Sequence, residues 1–297
     1  MALSSPSPLW PWVQSWKFQG IPPVPATFEL HRVDCVPSTN AYLWTQMGVT
    51  LPEPSLRCGT ALLAQRQSAG RGQRGRSWRS PVGGLYLSVA LPALPVTQSG
   101  QLMLSCAWGI ATALQQFNVP VALKWPNDFV IGPQKLGGML IETQVLGSCI
   151  TRAVIGVGIN WRNPVPASGI AIAELDSSLG CGSIQSSIEP LAAAVLTGIA
   201  VGNGRRLAQD AAEILPDYEA QMTHLGQTVT IVNQGGRSRG RVVGVAPTGQ
   251  LRVCIDQAAR QVMPDSAGQP SQTAAAEPAE IWAALGSVRL SYDALEE

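Results

Sequence analysis

The order of hydrophobic and polar side chains predicts alternating strands and helices in the first part of the chain. Apolar and polar residues alternate over residues 27–33, as the two faces of a strand require. Ser38 or Thr39 then offers a suitable N-cap for a helix. Residues 60–64 and 85–91 are predicted to form two more strands, and the first of them runs directly into a segment rich in glycine and arginine.

A packed helix follows, because a series of apolar side chains recurs with helical period on one face. Its members are Leu102, Cys106, Ile110, Ala113, Leu114 and Phe117. Strands are predicted over residues 121–125, 139–145 and 153–157, and one or two helices over residues 191–220. Helices and strands are therefore mixed throughout this region, which favours an α+β class.

The pattern changes after Gly226, where short apolar runs are separated by glycine, proline and asparagine. Such runs predict a small β-barrel or sandwich, with strands over residues 228–232, 241–245, 251–255 and 287–290. Residues 264–280 are low in complexity and are predicted to be a mobile loop.

The chain is therefore predicted to have three parts. Residues 1–26 form a tail rich in tryptophan and proline, to which we assign no function. Residues 27–225 have the size and pattern of a catalytic α+β domain. Residues 226–297 form the small β domain with its insert.

Composition narrows the function. The 297 residues are 45% hydrophobic with a formal net charge of +1, so the chain has an ample core and lacks the basic excess of a dedicated nucleic-acid binder. Six cysteines form no CxxC pair and there are only two histidines, which argues against a zinc site or a histidine-based triad. No signal peptide and no long apolar run are evident, so we expect a cytoplasmic protein without a membrane span.

The segment from Gly70 to Trp78, here called the Gly/Arg loop, combines three arginines with three glycines. Glycine lets the main chain approach a ligand closely, and the guanidinium fork fits phosphate or carboxylate. Residues 54–127 contain no Asp or Glu but seven cations. The loop is thus typical of an anion site, although a solvated basic loop of an RNA-binding tail has the same composition.

Four other short segments carry groups that could work with the loop. They are Ser38-Thr39-Asn40, Lys124-Trp125-Pro126-Asn127-Asp128, Lys135-Leu136-Gly137-Gly138 and Gly156-Val157-Gly158-Ile159-Asn160. Each alone has an ordinary explanation as a cap, a turn or a close strand contact. Together they match the needs of nucleotide addition to a carboxylate, in which two anions must be neutralised, aligned and shielded from water.

Five motifs in order make the chain resemble the biotin–protein ligases, also called biotin–[acetyl-CoA-carboxylase] ligases, from about Phe28 onward. The motifs are PSTN, QSAGRGQRGRSW, KWPND, KLGGMLIE and IGVGIN. The resemblance implies a mixed-sheet catalytic domain like that of class II synthetases, with a small C-terminal β-barrel. It also implies that biotin and MgATP give biotinyl-5′-AMP, from which biotin passes to a lysine of a biotin carboxyl carrier protein of acetyl-CoA carboxylase.

The resemblance also implies roles for individual residues. Catalytic charge would come from Lys135, Arg71, Arg74 and Arg76. Biotin would be bound by Ser38, Thr39, Gln67, Gly70, Arg71, Gly72, Lys135, Gly138, Gly156 and Gly158. ATP and the adenylate would be bound by Arg74, Arg76, Trp78, Asn127, Lys135 and Asn160, and Mg²⁺ would be bound by Asp128.

The chain departs from the family pattern at Gln73, where many members carry another arginine, so we expect weaker retention of the adenylate. The DNA-binding domain of repressor-type members is absent, so no DNA binding is expected, whereas a homodimer fits the fold. A lipoate–protein ligase, which shares the acyl-adenylate chemistry, is the nearest alternative. A nucleic-acid-binding module built on the Gly/Arg loop is the other alternative.

Overall fold

The computed structural model describes residues 28–45, 59–91, 93–208, 211–233, 236–255 and 280–283. The strands are β1 (Glu29–Val36), β2 (Thr60–Gln67), β3 (Leu85–Leu91), β4 (Leu94–Pro95), β5 (Ala122–Lys124), β6 (Asp128–Ile131), β7 (Gln134–Leu146), β8 (Cys149–Ile159), β9 (Thr228–Asn233), β10 (Gly236–Val245), β11 (Leu251–Ile255) and β12 (Glu280–Ala283). The α-helices are α1 (Thr39–Thr45), α2 (Ser99–Gln115), α3 (Gly182–Ser186), α4 (Ile188–Ala208) and α5 (Ala211–Ala220).

A large mixed sheet forms the centre of the molecule, with strand order β1-β2-β3-β8-β7-β6-β5 and with β4 paired to β8. Strands β1 and β2 are parallel, and the other neighbours are antiparallel. This arrangement confirms the predicted α+β class with a mixed sheet. Within the described residues, no helix has the length and apolar character needed to cross a membrane.

One face of the sheet is filled by the helices α2 and α4. Alternate residues of β3, such as Leu87 and Val89, lie in the main core with the apolar side chains of these helices. The two helices approach each other closely at Gly109 and Gly198. A β-carbon on Gly109 would lie only 2.1 Å from the carbonyl oxygen of Gly198. The predicted stripe from Leu102 to Leu114 is buried as expected.

The opposite face carries helix α1 and is where several of the sequence motifs meet. Leu43 of α1 packs with Val33, Leu62 and Val154 in a second, smaller cluster of buried side chains. Beside this cluster the sheet carries small or polar residues instead of large apolar ones. The helix therefore covers only part of this face.

Some predicted boundaries need correction. Asp128 was interpreted as a possible turn residue, but it begins strand β6, because its backbone pairs with Gly138 across the sheet. Strand β7 begins at Gln134 and runs on to Leu146, so it is longer than the predicted strand. The predicted helical region splits into α4 and α5.

The C-terminal strands form an antiparallel sheet in the order β12-β11-β10-β9. The four described strands are open at both edges, so the predicted barrel or sandwich closure is not confirmed. Glu280, predicted to lie in a mobile loop, instead begins β12 and pairs with Cys254. The tail 1–26, the insert residues 264–279 and the predicted strand 287–290 lie outside the described residues.

The C-terminal sheet packs against the part of the chain that carries the large sheet. Trp125 donates a hydrogen bond from Nε1 to the carbonyl oxygen of Gly249 at 3.0 Å, and the backbone N–H of Val245 donates to Glu219 Oε1 at 2.8 Å. Apolar residues of this sheet, including Val229 and Leu251, belong to the same buried cluster as α2. The two parts therefore share one core.

Candidate active site

Strand register assembles the open face of the sheet from distant segments. Asp128 pairs with Gly138, Gly138 with Gly158, and Gly158 with Tyr86, so these four residues form one row across β6, β7, β8 and β3. Opposed residues of neighbouring strands lie close together on the same face. The row therefore runs from a carboxylate over two glycines to a phenol, and it has no bulky side chain in its middle.

A buried polar network lies at the other end of this face. The backbone N–H of Thr39 donates to Gln67 Oε1 at 2.8 Å, and Gln67 Nε2 donates to Ser80 Oγ at 2.8 Å. Ser88 Oγ lies 2.6 Å from both Thr39 Oγ1 and Asn40 Oδ1. Each of these polar groups has a partner, so the network is held in one arrangement.

Ser38 has the ordinary structural role that its sequence position also allowed. Its Oγ accepts a hydrogen bond from the backbone N–H of Ala41 at 3.5 Å, as an N-cap does. The side chain is buried. Ser38 thereby fixes the start of α1, which brings Thr39 and Asn40 over the sheet.

The Gly/Arg loop is a tight hairpin closed by its own backbone. Trp78 N–H donates to the Gly70 carbonyl at 2.9 Å, and Gly72 N–H donates to the Arg76 carbonyl at 2.7 Å. Arg74, with φ of 58°, and Gly75, with φ of 71°, make the turn in the left-handed region. The three arginines of the loop are exposed, and Arg71 pairs with Glu142 of β7.

Gly70 is required by close packing. A β-carbon there would lie 2.3 Å from the Trp78 carbonyl oxygen and 2.5 Å from Ser80 Oγ. Any larger residue would push apart the two ends of the hairpin. The first glycine of the motif thus sets where the loop begins, three residues after Gln67.

Lys135 lies at the foot of the loop beside Asp128 and Trp78. Its Nζ is 2.6 Å from Asp128 Oδ1 and 5.3 Å from the centre of the Trp78 ring. This distance allows a cation–π contact. The side chain of Lys135 is 39% exposed, so the ammonium is held by two partners and still reaches open space.

Glycines provide the room beneath the Trp78 ring. A β-carbon on Gly158 would lie 2.5 Å from Trp78 Nε1, and one on Gly138 would lie 3.2 Å from Asp128 Oδ1. Gly156 has the same function one row away, where a β-carbon would lie 2.3 Å from Asn40 Oδ1. Trp78 Nε1 is buried and has no hydrogen-bond partner within the described residues. A buried indole N–H usually has a partner, so this unpaired group is unusual.

The two predicted asparagines have structural partners. Asn127 Nδ2 donates to the Met139 carbonyl at 2.6 Å, and Asn160 Nδ2 donates to the Lys135 carbonyl at 3.2 Å. Asn163 Nδ2 in turn donates to Asn160 Oδ1 at 3.1 Å. These amides hold the backbone on either side of Lys135, which positions its side chain.

Lys124, the first residue of the KWPND motif, is half-buried next to this cluster. Burial lowers the pKa of its ammonium group, and Lys135 lowers that pKa further while Asp128 opposes the shift. His224 is fully buried, and burial together with the charge of Lys124 lowers its pKa to about 4. His224 is therefore neutral at pH 7, and the positive charge of this region comes from lysine and arginine.

The structure brings together most of the predicted site residues but separates them into two groups. Thr39, Gln67 and the glycines line the open face with Lys135, Trp78 and Asp128. Arg74 and Arg76 lie at the exposed tip of the hairpin. Sequence reasoning missed Ser88 and Glu142 altogether.

Of the two, Glu142 was easier to predict from the sequence, because it is the last residue of the KLGGMLIE motif. Its carboxylate accepts from Asn40 Nδ2 at 2.8 Å and pairs with Arg71 Nη1 at 3.0 Å. An acidic residue directly after the apolar run Met139-Leu140-Ile141 was the signal that could have identified it. Ser88 lies in an apolar strand with no such charge, and only the fold reveals it.

Comparison with known proteins agrees with this geometry. Residues 33–160 match the model of the biotin/lipoate A/B protein ligase family. The chain is 30% identical over 215 residues to the biotin--[acetyl-CoA-carboxylase] ligase of Mycobacterium tuberculosis, which covers 69% of this chain and 76% of that protein. The chain belongs to the biotin–protein ligase family.

The chain spans only about two fifths of the length of another relative. The bifunctional ligase/repressor BirA of Escherichia coli is 40% identical over 131 residues, and the match spans 42% of this chain but only 38% of BirA. Among solved structures, the biotin protein ligase of Aquifex aeolicus in complex with biotin and ATP aligns with a TM-score of 0.64 at 23% identity, covering 88% of this chain and 98% of that one. That likeness shows the shared fold.

Proposed function

We propose that this protein forms biotinyl-5′-AMP from biotin and ATP and transfers the biotinyl group to a lysine of a biotin carboxyl carrier protein of acetyl-CoA carboxylase. One observation supports this proposal most directly. Lys135 contacts both Asp128 and Trp78, the last residue of the Gly/Arg loop. A cation there can face two anionic reactants at once. Membership of the biotin–protein ligase family supports biotin as the acid.

Biotin would lie over the row of glycines, with its ring against the polar network at α1. Thr39 and Gln67 can hydrogen-bond a ureido group, since the amide of Gln67 has two protons and Ser80 accepts one of them. Gly138 would let the backbone approach biotin, whereas Gly156 and Gly158 would act by seating Asn40 and Trp78, which occupy the space over them. Ser38 would contribute indirectly, because it caps the helix that carries Thr39.

In the first step, a carboxylate oxygen of biotin attacks the α-phosphorus of ATP. The new oxygen–phosphorus bond forms as the bond from the α-phosphorus to the bridging oxygen breaks, and pyrophosphate leaves. Lys135 would lower the repulsion between the two anions, with a substrate oxygen replacing Asp128 as the partner of Nζ. Trp78, Asn127 and Asn160 would line or support the nucleotide side.

In the second step, the neutral amine of the acceptor lysine attacks the biotinyl carbonyl carbon, and AMP leaves with the electron pair of the broken carbon–oxygen bond. Until then the mixed anhydride must be kept from water. The Gly/Arg loop would do this, with Gly70, Arg71 and Gly72 over biotin and with Arg74 and Arg76 on the phosphate. Gln73 removes one cation from that set, so we expect some loss of the intermediate.

Mg²⁺ would enter with ATP. The described residues contain no group of three His, Cys, Asp or Glu side chains that could hold a metal alone. One carboxylate together with substrate phosphates is, however, a usual donor set for Mg²⁺, and Asp128 fits that role. When bound, the metal would neutralise phosphate charge and favour departure of pyrophosphate.

The proposal extends to the setting of the reaction. A cytoplasmic location fits a consumer of ATP, and the five cysteines among the described residues are free thiols. A homodimer would pair through the edge of β7, since β6 covers that strand only as far as Gly138 and Leu146 beyond it is 75% exposed. The boundary at residue 225 and the closed C-terminal barrel belong to the same proposal.

The test is biotin-dependent chemistry with the purified chain. Protein, MgATP and biotin should release pyrophosphate, and addition of an apo carrier domain should give a biotinylated lysine. Lipoate in place of biotin is the matched control. Release of pyrophosphate with lipoate but not with biotin would replace this function by lipoate ligation.

A further inference from the structure

The Gly/Arg loop is tied to the sheet by a carboxylate that no substrate-binding role explains. Glu142, on β7, uses both of its oxygens. Oε1 pairs with Arg71 Nη1 at 3.0 Å, and Oε2 accepts from Asn40 Nδ2 at 2.8 Å. The carboxylate thus bridges a residue of the loop and a residue of α1 that are 31 positions apart in the printed sequence.

Asn40 provides the fixed end of this bridge. It is 2% exposed, and its Oδ1 lies 2.6 Å from Ser88 Oγ. Its amide also rests on Gly156, where a β-carbon would lie only 2.3 Å from Oδ1. Because Asn40 has so little freedom, it holds Glu142 in the orientation that faces Arg71.

The bridge continues into the proposed biotin pocket. Ser88 Oγ is 2.6 Å from Thr39 Oγ1, and Thr39 Oγ1 donates to Gln67 Oε1 at 3.2 Å. A continuous polar path therefore connects Gln67 with Arg71 through α1, β3 and β7. One end of the path, Gln67, would contact the substrate. The other end, Arg71, belongs to the Gly/Arg loop, which would cover the substrate.

We propose that Glu142 is a positioning residue that holds the Gly/Arg loop over the site through Arg71 and links the loop to the pocket through Asn40. The inference rests on the proposed function for its role in retaining the intermediate. The Arg71 side chain is 53% exposed and that of Glu142 is 22% exposed, so the tie is screened by solvent. A tie of this kind biases the loop toward closure and still permits the opening that substrate entry requires.

The loop itself supplies a readout that needs no substrate. Arg71, Arg74 and Arg76 are exposed trypsin sites. The rate of cleavage within the loop therefore reports how often it leaves its closed position. We expect Glu142→Gln to raise that rate about fivefold, since an exposed charge pair contributes little.

Two substitutions separate the two arms of the bridge. Glu142→Gln keeps an oxygen for Asn40 but removes the charge that pairs with Arg71. Glu142→Ala removes both contacts. Under the proposal the glutamine variant releases biotinyl-AMP faster with nearly unchanged KM for biotin, whereas the alanine variant also raises KM.

The matched control is Glu189→Gln. Glu189 also pairs with an arginine, Arg32, at 3.0 Å, and it lies in α4, away from the loop. Its substitution should leave both loop cleavage and adenylate release at the parent rate. A general loss of stability would instead accelerate cleavage in this variant as well.

A double-substitution cycle decides whether Glu142 acts through Arg71. Cleavage after Arg74 and Arg76 is measured in Arg71→Gln with and without Glu142→Gln. The proposal expects the second change to add nothing once Arg71 is gone. Parent-rate cleavage in Glu142→Gln, or a full additional effect in the double variant, overturns it.

The outcome is separable from that of the proposed function. Trypsin cleavage without ligand judges the role of Glu142 even if biotin fails to support pyrophosphate release. Conversely, the parent could show biotin-dependent turnover while Glu142→Gln is cleaved at the parent rate. That result would support the ligase function and show that Glu142 does not hold the loop.

Discussion

The two faces of the large sheet share one backbone but differ in what their side chains do. On β3, Leu87 and Val89 point into the core beneath α2, while Tyr86 and Ser88 alternate onto the other face. On β8 the same alternation sets Val157 in the core against glycines on the other side. One face is filled by apolar side chains, and the other carries glycines and polar groups where we propose that the ligand binds.

The difference teaches that the arrangement of the second face depends on specific contacts. Glycines alone would leave a gap that neighbouring side chains could fill. Instead, Trp78 packs on Gly158 and Asn40 packs on Gly156. These side chains are in turn held by Lys135 and Ser88. Substitutions on the two faces should therefore separate loss of activity from loss of stability.

The largest effect is expected from Lys135→Ala on the open face. Removing the charge that is proposed to reach both reactants should slow adenylation about a thousandfold. The side chain is outside the core, so thermal unfolding should change little. Biotin-dependent pyrophosphate release checks the prediction, and turnover near the parent rate would remove Lys135 from the mechanism.

On the packed face, Leu87→Ala should have the opposite signature. Leu87 is fully buried in the main core, and truncating it should lower the free energy of unfolding by about 2–5 kcal/mol. The protein that remains folded should bind biotin with an unchanged KM. Urea unfolding and steady-state kinetics measure the two quantities, and an unchanged unfolding midpoint would contradict the assignment of this face.

Gly158→Ala tests whether the open face depends on glycine. The added methyl group would lie 2.5 Å from Trp78 Nε1, so the ring must move. We expect kcat/KM for biotin to fall about tenfold, because small misplacements near reacting groups are costly. Gly182→Ala is the control, since a β-carbon there meets nothing within 4 Å. Equal kinetics in the two variants would refute a need for close approach.

Arg71→Gly should have the smallest effect on turnover and a visible effect on retention. Loss of the guanidinium frees the loop from Glu142, so biotinyl-AMP should escape and label bystander lysines several-fold more than in the parent. Biotin incorporated into an added bystander protein measures the escape. Arg252→Gly, which breaks an ion pair in the C-terminal sheet, is the control. Labelling no greater than in the control would show that Arg71 does not help the loop to retain biotinyl-AMP.

The sequence predicted the elements of the catalytic part well where local patterns are strong. The predicted stripe from Leu102 to Phe117 became a buried helix that ends at Gln115, before Phe117, and residues 85–91 became β3. It failed at Asp128, because turn propensity and strand pairing compete there and pairing with Gly138 prevails. It also assigned Glu280 to a loop, since local composition carries no information about a partner strand.

The candidate site shows the same difference between what local sequence predicts and what depends on distant contacts. Lys135, Gln67 and the glycines were predicted from motifs and from the family resemblance, and their roles stay proposals. Ser38 was predicted to bind biotin, and its observed contact is the cap of α1. Ser88 carried no motif and Glu142 was only the last residue of one, because their contacts depend on Asn40, which is 48 and 102 residues away along the chain.

By itself the sequence determined the charges, the glycines and the order of helices and strands, since these depend on side-chain type and on local periodicity. Only the tertiary structure decided which of those residues meet. Sheet register brought Asp128, Gly138 and Gly158 into one row, and α1 carried Asn40 to Glu142. The physical reason is that register is set by packing and hydrogen bonding across the whole sheet, which no single segment encodes.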